Sequence, residues 1–597
     1  MKPLTKNHWR HIFLLLLWIF LGTILRFVNL TGKSPWTDEF ATMVFSLGNN
    51  YQEIPLDRVI SLETLLKPLQ PNPNANIGDV ISLLRFRDNH PPVYFVLAHW
   101  WQQLFPTNQG YLSLWAARSL PALFGVISIP ATFGLAKLAF RSLIVAQLAA
   151  AMMAVSPYGI FLAQEARHYS LAALFVIFSL ACLLVAARHI WSGQKIPFWL
   201  GLLWIIVNSF GLTIHYFFTL TLLAEAIALL VFFFSLIKTN KPTTYREGIA
   251  KNWYRLSLTA IGTITTGLIW LWTFIPQDYG SEMTDWIKND SRNIWTIINP
   301  LFQALAAWVT MLNLLPVEAS SLTIVIISGI AMFCFFIWAI PILYHGIRKQ
   351  CQETDFRLPI IILAGFVCGA IAIFFTITYF FGIDITRGAR YNFVYFPAVI
   401  IIVGASLAIY WQKLPPSETK NNWLFNKLGK RSLIINQGKI VVITIFLMGL
   451  LGGITVTINL GYQKYYRPDL FISVLAEYSQ APALIATTQQ TLVQTGEMMG
   501  IAWELKEHPL RKKVNFLLVN QQYKGEQKAA QTLKQNLKQL PRPLDLWLIN
   551  FHAPIEFSSC VIDVRNLPNI DGYNYRFYHC PEIDNTQTKT RNRFKVF

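Results

Sequence analysis

The chain has 597 residues, 54% of them hydrophobic and only 14% charged, where an average soluble domain carries roughly 25% charged residues. Aromatic residues reach 14% and the mean hydropathy is +0.40. These values exclude a disordered chain, a coiled coil and an ordinary soluble enzyme, and indicate a multi-spanning membrane protein.

A membrane helix needs about 20 apolar residues. Eleven runs qualify, at roughly 11–30, 112–139, 143–163, 169–187, 197–214, 217–237, 256–275, 321–343, 358–381, 392–411 and 440–460. No small-residue cleavage site follows the first run, so it reads as a span and not as a leader. Two weaker segments, 92–106 and 297–315, follow proline or lie between polar stretches and read as juxtamembrane or re-entrant helices.

The net charge of +19 fits either nucleic acid binding or basic cytoplasmic loops. Position decides between them. With the N-terminus inside, Lys137, Arg141, Arg188, Lys195, Lys241, Arg255, Arg348, Lys349 and Arg357 all fall in inner segments or at inner span ends. Topology thus accounts for most of the charge, and no nucleic acid partner is expected. An odd number of spans puts the residues after the last one outside.

The expected organisation is a multi-spanning part, 1–460, with a large first outer loop (31–111), and an extracytoplasmic soluble domain, 461–597. The tail alternates short apolar runs (ALIATT, VNFLLVN, LDLWLIN, CVIDV) with a polar stretch at 521–540, the pattern of a small α/β domain. Cys560 and Cys580 bracket its last strand-like segments. Outside the membrane a disulfide is allowed, and pairing and two separate thiols both stay open. The fold class is therefore an all-α polytopic membrane protein with about eleven transmembrane helices and a small α/β C-terminal domain.

Ionisable residues near a membrane core are costly and usually functional. Five polar clusters stand out, all on the outer side. Asp38 and Glu39 follow the first span, flanked by Trp36 and Phe40. A carboxylate in such a setting suits a general base, and the ordinary alternative is an acidic pair at a helix N-terminus. His90 precedes Pro91 and Pro92, which can open a helix, with Tyr94 just beyond. Glu165, Arg167 and Tyr169 form a polar knot between two apolar runs. Glu165 and Arg167, two apart, face different ways on a helix, so each meets something other than its neighbour. His215 and Tyr216 make up the whole turn between two spans. Arg387, Arg390 and Tyr391 surround Gly388, and two outer arginines beside a glycine suit a phosphate. Snorkelling to lipid headgroups explains one of them equally well. No P-loop, GxSxG, HExxH or dinucleotide-binding glycine motif is present, so the reactive bond has to arrive on the substrate.

The acidic pair after the first span, HPPVYF, QEARHYS, IHYFF and RGARYNFVYFPA together resemble the GT-C membrane glycosyltransferases. The closest branch is family 39, which includes protein O-mannosyltransferases and lipid A aminoarabinose transferases. The likeness covers roughly residues 10–410 in order. His168 departs from it, since Met is usual there, and the Asn- and Pro-rich stretch 49–87 has no counterpart.

The resemblance implies a polyprenyl-phosphate-linked sugar donor, an outer-facing cavity and inverting transfer to an acceptor hydroxyl on a glycan, lipid or protein. It makes Asp38 the base, with Glu39 and Glu165 beside it in the catalytic set. Arg167, Arg387, Arg390 and Tyr391 take the donor phosphate, and His90, Tyr94, Tyr169, His215 and Tyr216 bind substrate. No cofactor is expected; a divalent metal at Asp38 and Glu165 is compatible but not required. The location implied is the plasma (inner) membrane, with an inside N-terminus. A transporter or lipid flippase is the alternative, and more often shows repeated halves and midplane charges. A non-catalytic assembly subunit would tolerate replacement of Asp38 and Glu165.

Overall fold

The computed structural model describes residues 6–88, 90–238, 244–274, 286–288, 293–412, 431–522 and 525–582. In chain order the elements begin α1 (Lys6–Phe27), α2 (Thr37–Ser46), β1 (Val59–Ser61), α3 (Leu62–Leu66), α4 (Ile77–Arg87), α5 (Val93–Gln102), α6 (Leu114–Phe140), α7 (Leu143–Val155) and α8 (Pro157–Ala163). They continue through α9 (Tyr169–Trp191), α10 (Phe198–Ile214), α11 (Phe218–Lys238), α12 (Thr244–Phe274), α13 (Ile294–Leu312), α14 (Leu322–Gln350), α15 (Thr354–Phe380), α16 (Phe396–Trp411) and α17 (Arg431–Thr457). The remainder is α18 (Pro468–Tyr478), β2 (Ala483–Gln489), α19 (Leu492–Leu505), β3 (Val514–Asn520), α20 (Gly525–Gln539), β4 (Leu544–Ile549), β5 (Val561–Ile562) and β6 (Tyr575–Cys580).

The chain divides into two compact units. The first comprises residues 1–32, 84–104 and 114–463, and the second 33–83, 105–113 and 464–597. The sequence reading divides it differently, with all of 31–111 in the membrane part. The physical reason is backbone pairing: β1 runs antiparallel to β3, with Ile60 opposite Phe516. Leu112 N–H donates to the Leu69 carbonyl, and Arg511 bonds the Glu63 carboxylate at 2.9 Å.

The first unit is a helical bundle. Among the described residues nine helices are long and apolar enough to cross a membrane, α7 and α8 form one bent pair, and α10 and α16 are shorter apolar helices. Large apolar side chains face outward along α1, α12 and α14, as lipid-facing helices require. The chain is a multi-pass membrane protein. Each of the eleven runs read as spans falls on one of these helices. The extra helix is α13, which passes on length and composition, but both of its ends lie at one end of the bundle. Near its start, the Tyr379 hydroxyl at the end of α15 donates to the Ile297 carbonyl at 2.8 Å. At its finish the Ser156 hydroxyl donates to the Met311 carbonyl at 2.8 Å, and Leu314 packs on Gly452 near the end of α17. α13 therefore enters and leaves on one side, as the weak segment 297–315 suggested.

A break between α7 and α8 bends that span by 57°. Pro157 has no N–H to give the Met153 carbonyl. Arg26 of α1, fully buried, supplies the donor instead, at 2.9 Å to Met153 O and 2.9 Å to Ala154 O. Side-chain-free Gly22 and Gly125 leave room for its guanidinium, since an added Cβ would stand 3.1 and 3.0 Å from it.

The second unit is an α/β layer structure. Its sheet has the order β1-β3-β2-β4-β6-β5, with β2 parallel to both β3 and β4. β2 is buried along its whole length, as a central parallel strand covered on both faces is. α20 packs Ala529, Leu533 and Leu537 into a cluster with Leu517 and Leu546. Cys560 and Cys580 are disulfide-bonded, which settles the pairing left open by the sequence.

Candidate functional site

The polar residues between the spans gather at the end of the bundle where α8, α10, α15 and α17 finish. His90 stands just before α5, whose start at Val93 follows the Pro-Pro pair as expected. Its Nδ1 lies 2.8 Å from Oδ2 of the buried Asp88. Its Nε2 lies 2.9 Å from Nη2 of Arg167. Arg167 can only donate, so Nε2 accepts and Nδ1–H donates to Asp88. An acid thus fixes the imidazole, and the imidazole aims the guanidinium.

Arg167 belongs to the short turn after α8, where its backbone N–H donates to the Glu165 carbonyl at 2.6 Å. The next residue, His168, caps α9 and packs in a row of rings. Its centroid lies 4.5 Å from His215, 5.8 Å from His90 and 5.8 Å from Tyr94. Tyr169 stacks 5.5 Å from His215 and has Arg167 5.8 Å above its ring. His215 in turn touches Phe393 at 4.9 Å and lies 6.3 Å from Tyr391. Burial pushes the pKa values of His168 and His215 well down, and the nearby positive charges of Arg167 and Arg390 push the same way. Both imidazoles are neutral at pH 7, and the Phe217 N–H donating to Nδ1 of His215 leaves its proton on Nε2. Tyr216 sits half-buried beside Asp88, its hydroxyl pushed up to about 12 by burial first and that carboxylate second.

The two outer arginines part company. Arg390 is half-buried between rings, 5.3 Å from Trp286 and 5.2 Å from Tyr391. The Tyr158 hydroxyl of α8 holds its loop by donating to the Ala389 and Arg390 carbonyls at 3.1 and 3.0 Å. Arg387 is exposed, paired with Asp384 at 3.3 Å, and donates to the Trp286 carbonyl. Its charge is spent largely on its own loop.

Asp38 and Glu39 belong to the second unit, in the first turn of α2. Glu39 is fully buried. Its carboxylate accepts from the Trp36 N–H at 3.4 Å and lies 3.9 Å from Lys464 Nζ, so it serves the helix start. Asp38, one position earlier, is half-exposed. The structure therefore brings together His90, Tyr94, Arg167, Tyr169, His215, Tyr216, Arg390 and Tyr391, with the buried Glu165 in the same turn as Arg167. Among the described residues no three His, Cys, Asp or Glu side chains gather as metal ligands.

Three contributors escaped the sequence reading. Asp88 was visible beside His90, but its bond to Nδ1 is a turn contact that spacing does not give. Trp286 lies in a polar stretch far from Arg390 in sequence. Arg26 had the clearest signal, a lone cation inside an apolar run.

No family model and no curated protein matches the sequence. Among solved structures, ArnT from Cupriavidus metallidurans bound to undecaprenyl phosphate is 13% identical, over 96% of this chain and 98% of that one, with a TM-score of 0.46. The apo oligosaccharyltransferase of Archaeoglobus fulgidus is 12% identical, over 92% of this chain and 70% of its own, with a TM-score of 0.49. The same organism's AglB in complex with an inhibitory peptide and a dolichol-phosphate is 12% identical, over 91% and 70%, with a TM-score of 0.48.

Proposed function

We propose that the protein is a GT-C-type membrane glycosyltransferase that moves a sugar from a polyprenyl-phosphate donor to an acceptor hydroxyl on the extracytoplasmic face. The observation that carries the reading is the Asp88–His90–Arg167 chain at one end of an apolar bundle, with Arg390 held between rings. A guanidinium pre-aimed through a neutral imidazole suits a phosphate whose lipid tail lies among helices. Neutral His168 and His215, with Tyr94, Tyr169 and Tyr216, offer hydrogen bonds and flat faces to the sugar without competing for its phosphate.

In the proposed step a base takes the proton of the acceptor hydroxyl. The freed oxygen attacks the anomeric carbon from the side opposite the phosphate. The bond from that carbon to the phosphate oxygen breaks, and polyprenyl phosphate leaves with the electron pair against Arg167 and Arg390. The configuration inverts. Asp38 is the proposed base, and accessibility favours it over Glu39, which is buried and engaged with Trp36 and Lys464.

The test is a transfer assay with polyprenyl-phosphate sugar. Asp38→Asn should lower turnover by about 10²–10⁴-fold while donor binding and thermal stability stay near wild type. Glu39→Gln should instead lower the melting temperature. Full activity in Asp38→Asn with loss in Glu39→Gln exchanges the two roles. Full activity in both removes the catalytic reading of the pair.

A further inference from the structure

The second unit contains a feature that sugar transfer does not use. Its three parallel strands run in the order β3-β2-β4. The chain leaves β2 to one side through α19 and then crosses to the other through α20. In open α/β sheets ligands bind outside the carboxyl ends of strands at such a switch point. Here that point lies at the ends of β2 and β4.

On the β4 side of that point is a cavity of about 490 Å³, lined by Asn550, which directly follows β4, and by the segment 567–575 with Tyr465. This is the size of ordinary small-ligand pockets. Asn550 fixes the wall: its Nδ2 donates to the Gly572 carbonyl at 3.0 Å and to Glu497 at 3.2 Å. Its Oδ1 accepts from the Asn574 N–H at 2.9 Å. Gly572 has φ +82, and an added Cβ would stand 2.6 Å from the Tyr466 ring, so only glycine lets the loop close against Tyr465 and Tyr466. The wall is organised before any ligand arrives, which lowers the entropy cost of binding.

The lining chemistry selects the ligand. Tyr465 is 73% exposed and offers a flat ring face; Tyr575 is half-buried in the lining, and Tyr573 is buried against Tyr466 and Phe471 as part of the wall. Asn569 and Asn574 offer donors and acceptors together. Among the described residues the lining has one ionisable acid, Asp571, and no Lys or Arg, so a phosphate or carboxylate ligand is disfavoured. An exposed aromatic face with amides and a lone acceptor carboxylate matches a neutral sugar ring, which has apolar C–H faces and a rim of hydroxyls.

We propose that this cavity is a binding subsite for a neutral saccharide. The site stands on the soluble unit's geometry alone; the consequence that the transferase acceptor is a saccharide rests on the transferase reading.

The experiment uses the full-length protein in nanodiscs without donor. Neutral tetrasaccharides of glucose, mannose and N-acetylglucosamine, and inorganic phosphate, are titrated by calorimetry and saturation-transfer NMR. One of the saccharides should bind. Tyr465→Ala, at an exposed position, should weaken it about five- to tenfold, the worth of one aromatic contact, and Asn569→Ala should weaken it too, both with unchanged melting. Absence of saccharide binding, binding untouched by both variants, or binding of phosphate in place of sugar would each overturn the proposal. Loss of transfer with saccharide binding intact counts against the transferase reading alone.

Discussion

His168 and His215 are buried with their pKa values pushed well down, and this sets a pH dependence. Each has a folded pKa well below its ordinary value, which is about 6.5 when unfolded. The unfolded chain then binds more protons than the folded one as pH falls below that value. Stability is therefore full above about pH 6.5 and declines as pH drops towards the folded pKa. The melting temperature in detergent should fall between pH 7.5 and 5.5, and the fall should shrink when both residues are replaced by Gln. A rise on acidification, or an equal fall in the double variant, contradicts the neutral assignment. At this scale much of the cluster was legible, because His90, Arg167, His215 and Arg390 stand out as polar residues in apolar text. Their partners were not. Which nitrogen of His90 meets Asp88, and which arginine is spent on Asp384, depend on turn geometry that residue spacing leaves free.

Among elements, run length marked the spans, since a bilayer demands long apolar helices whatever their packing. β1 was not legible: Val59–Ser61 is three residues long, and its identity as a strand comes wholly from pairing with β3 across more than 450 positions. The α7–α8 break was legible only as a proline. What stabilises it is Arg26, which caps the two carbonyls freed at the bend. Arg26→Met would leave Met153 O and Ala154 O without that donor, at about 1–3 kcal/mol for each unmet group. Removing a buried guanidinium offsets part of this loss, because its own desolvation cost disappears. With two carbonyls orphaned the loss should prevail and the melting temperature should fall, and Arg26→Lys should recover part of it. A Met variant as stable as wild type would mean that the carbonyls find other donors and that Arg26 does not hold the bend.

For the whole molecule the deciding quantity is the parity of crossings. Composition alone admits α13 as a span and makes the total even. Contacts make it odd, because the start of α13 meets the end of α15 while its finish meets Ser156 and the end of α17. α14 then sets out from that same end and finishes beside the finish of α16, where the Gln350 amide donates to the Ala405 carbonyl at 3.0 Å. The opposite end collects Arg141, Arg188, Lys195, Arg348 and Lys349, and the positive-inside rule predicts that this end is the cytoplasmic one. On that prediction the segment after α17 emerges outside, a setting in which a disulfide such as Cys560–Cys580 persists. Two single-cysteine reporters test the assignment in intact cells with a membrane-impermeant maleimide. Val564→Cys, at a position 91% exposed, should label without permeabilisation. Gln352→Cys, exposed between α14 and α15, should label only after it. If Val564→Cys also needs permeabilisation while Gln352→Cys keeps its side, α13 crosses after all, the count is even, and the acceptor has to be sought in the cytoplasm. If the two exchange sides together, the bundle is inverted and the basic end faces out. Only the expected pattern leaves the Asp88–His90–Arg167 chain on the face where a lipid-linked sugar and an extracytoplasmic acceptor meet.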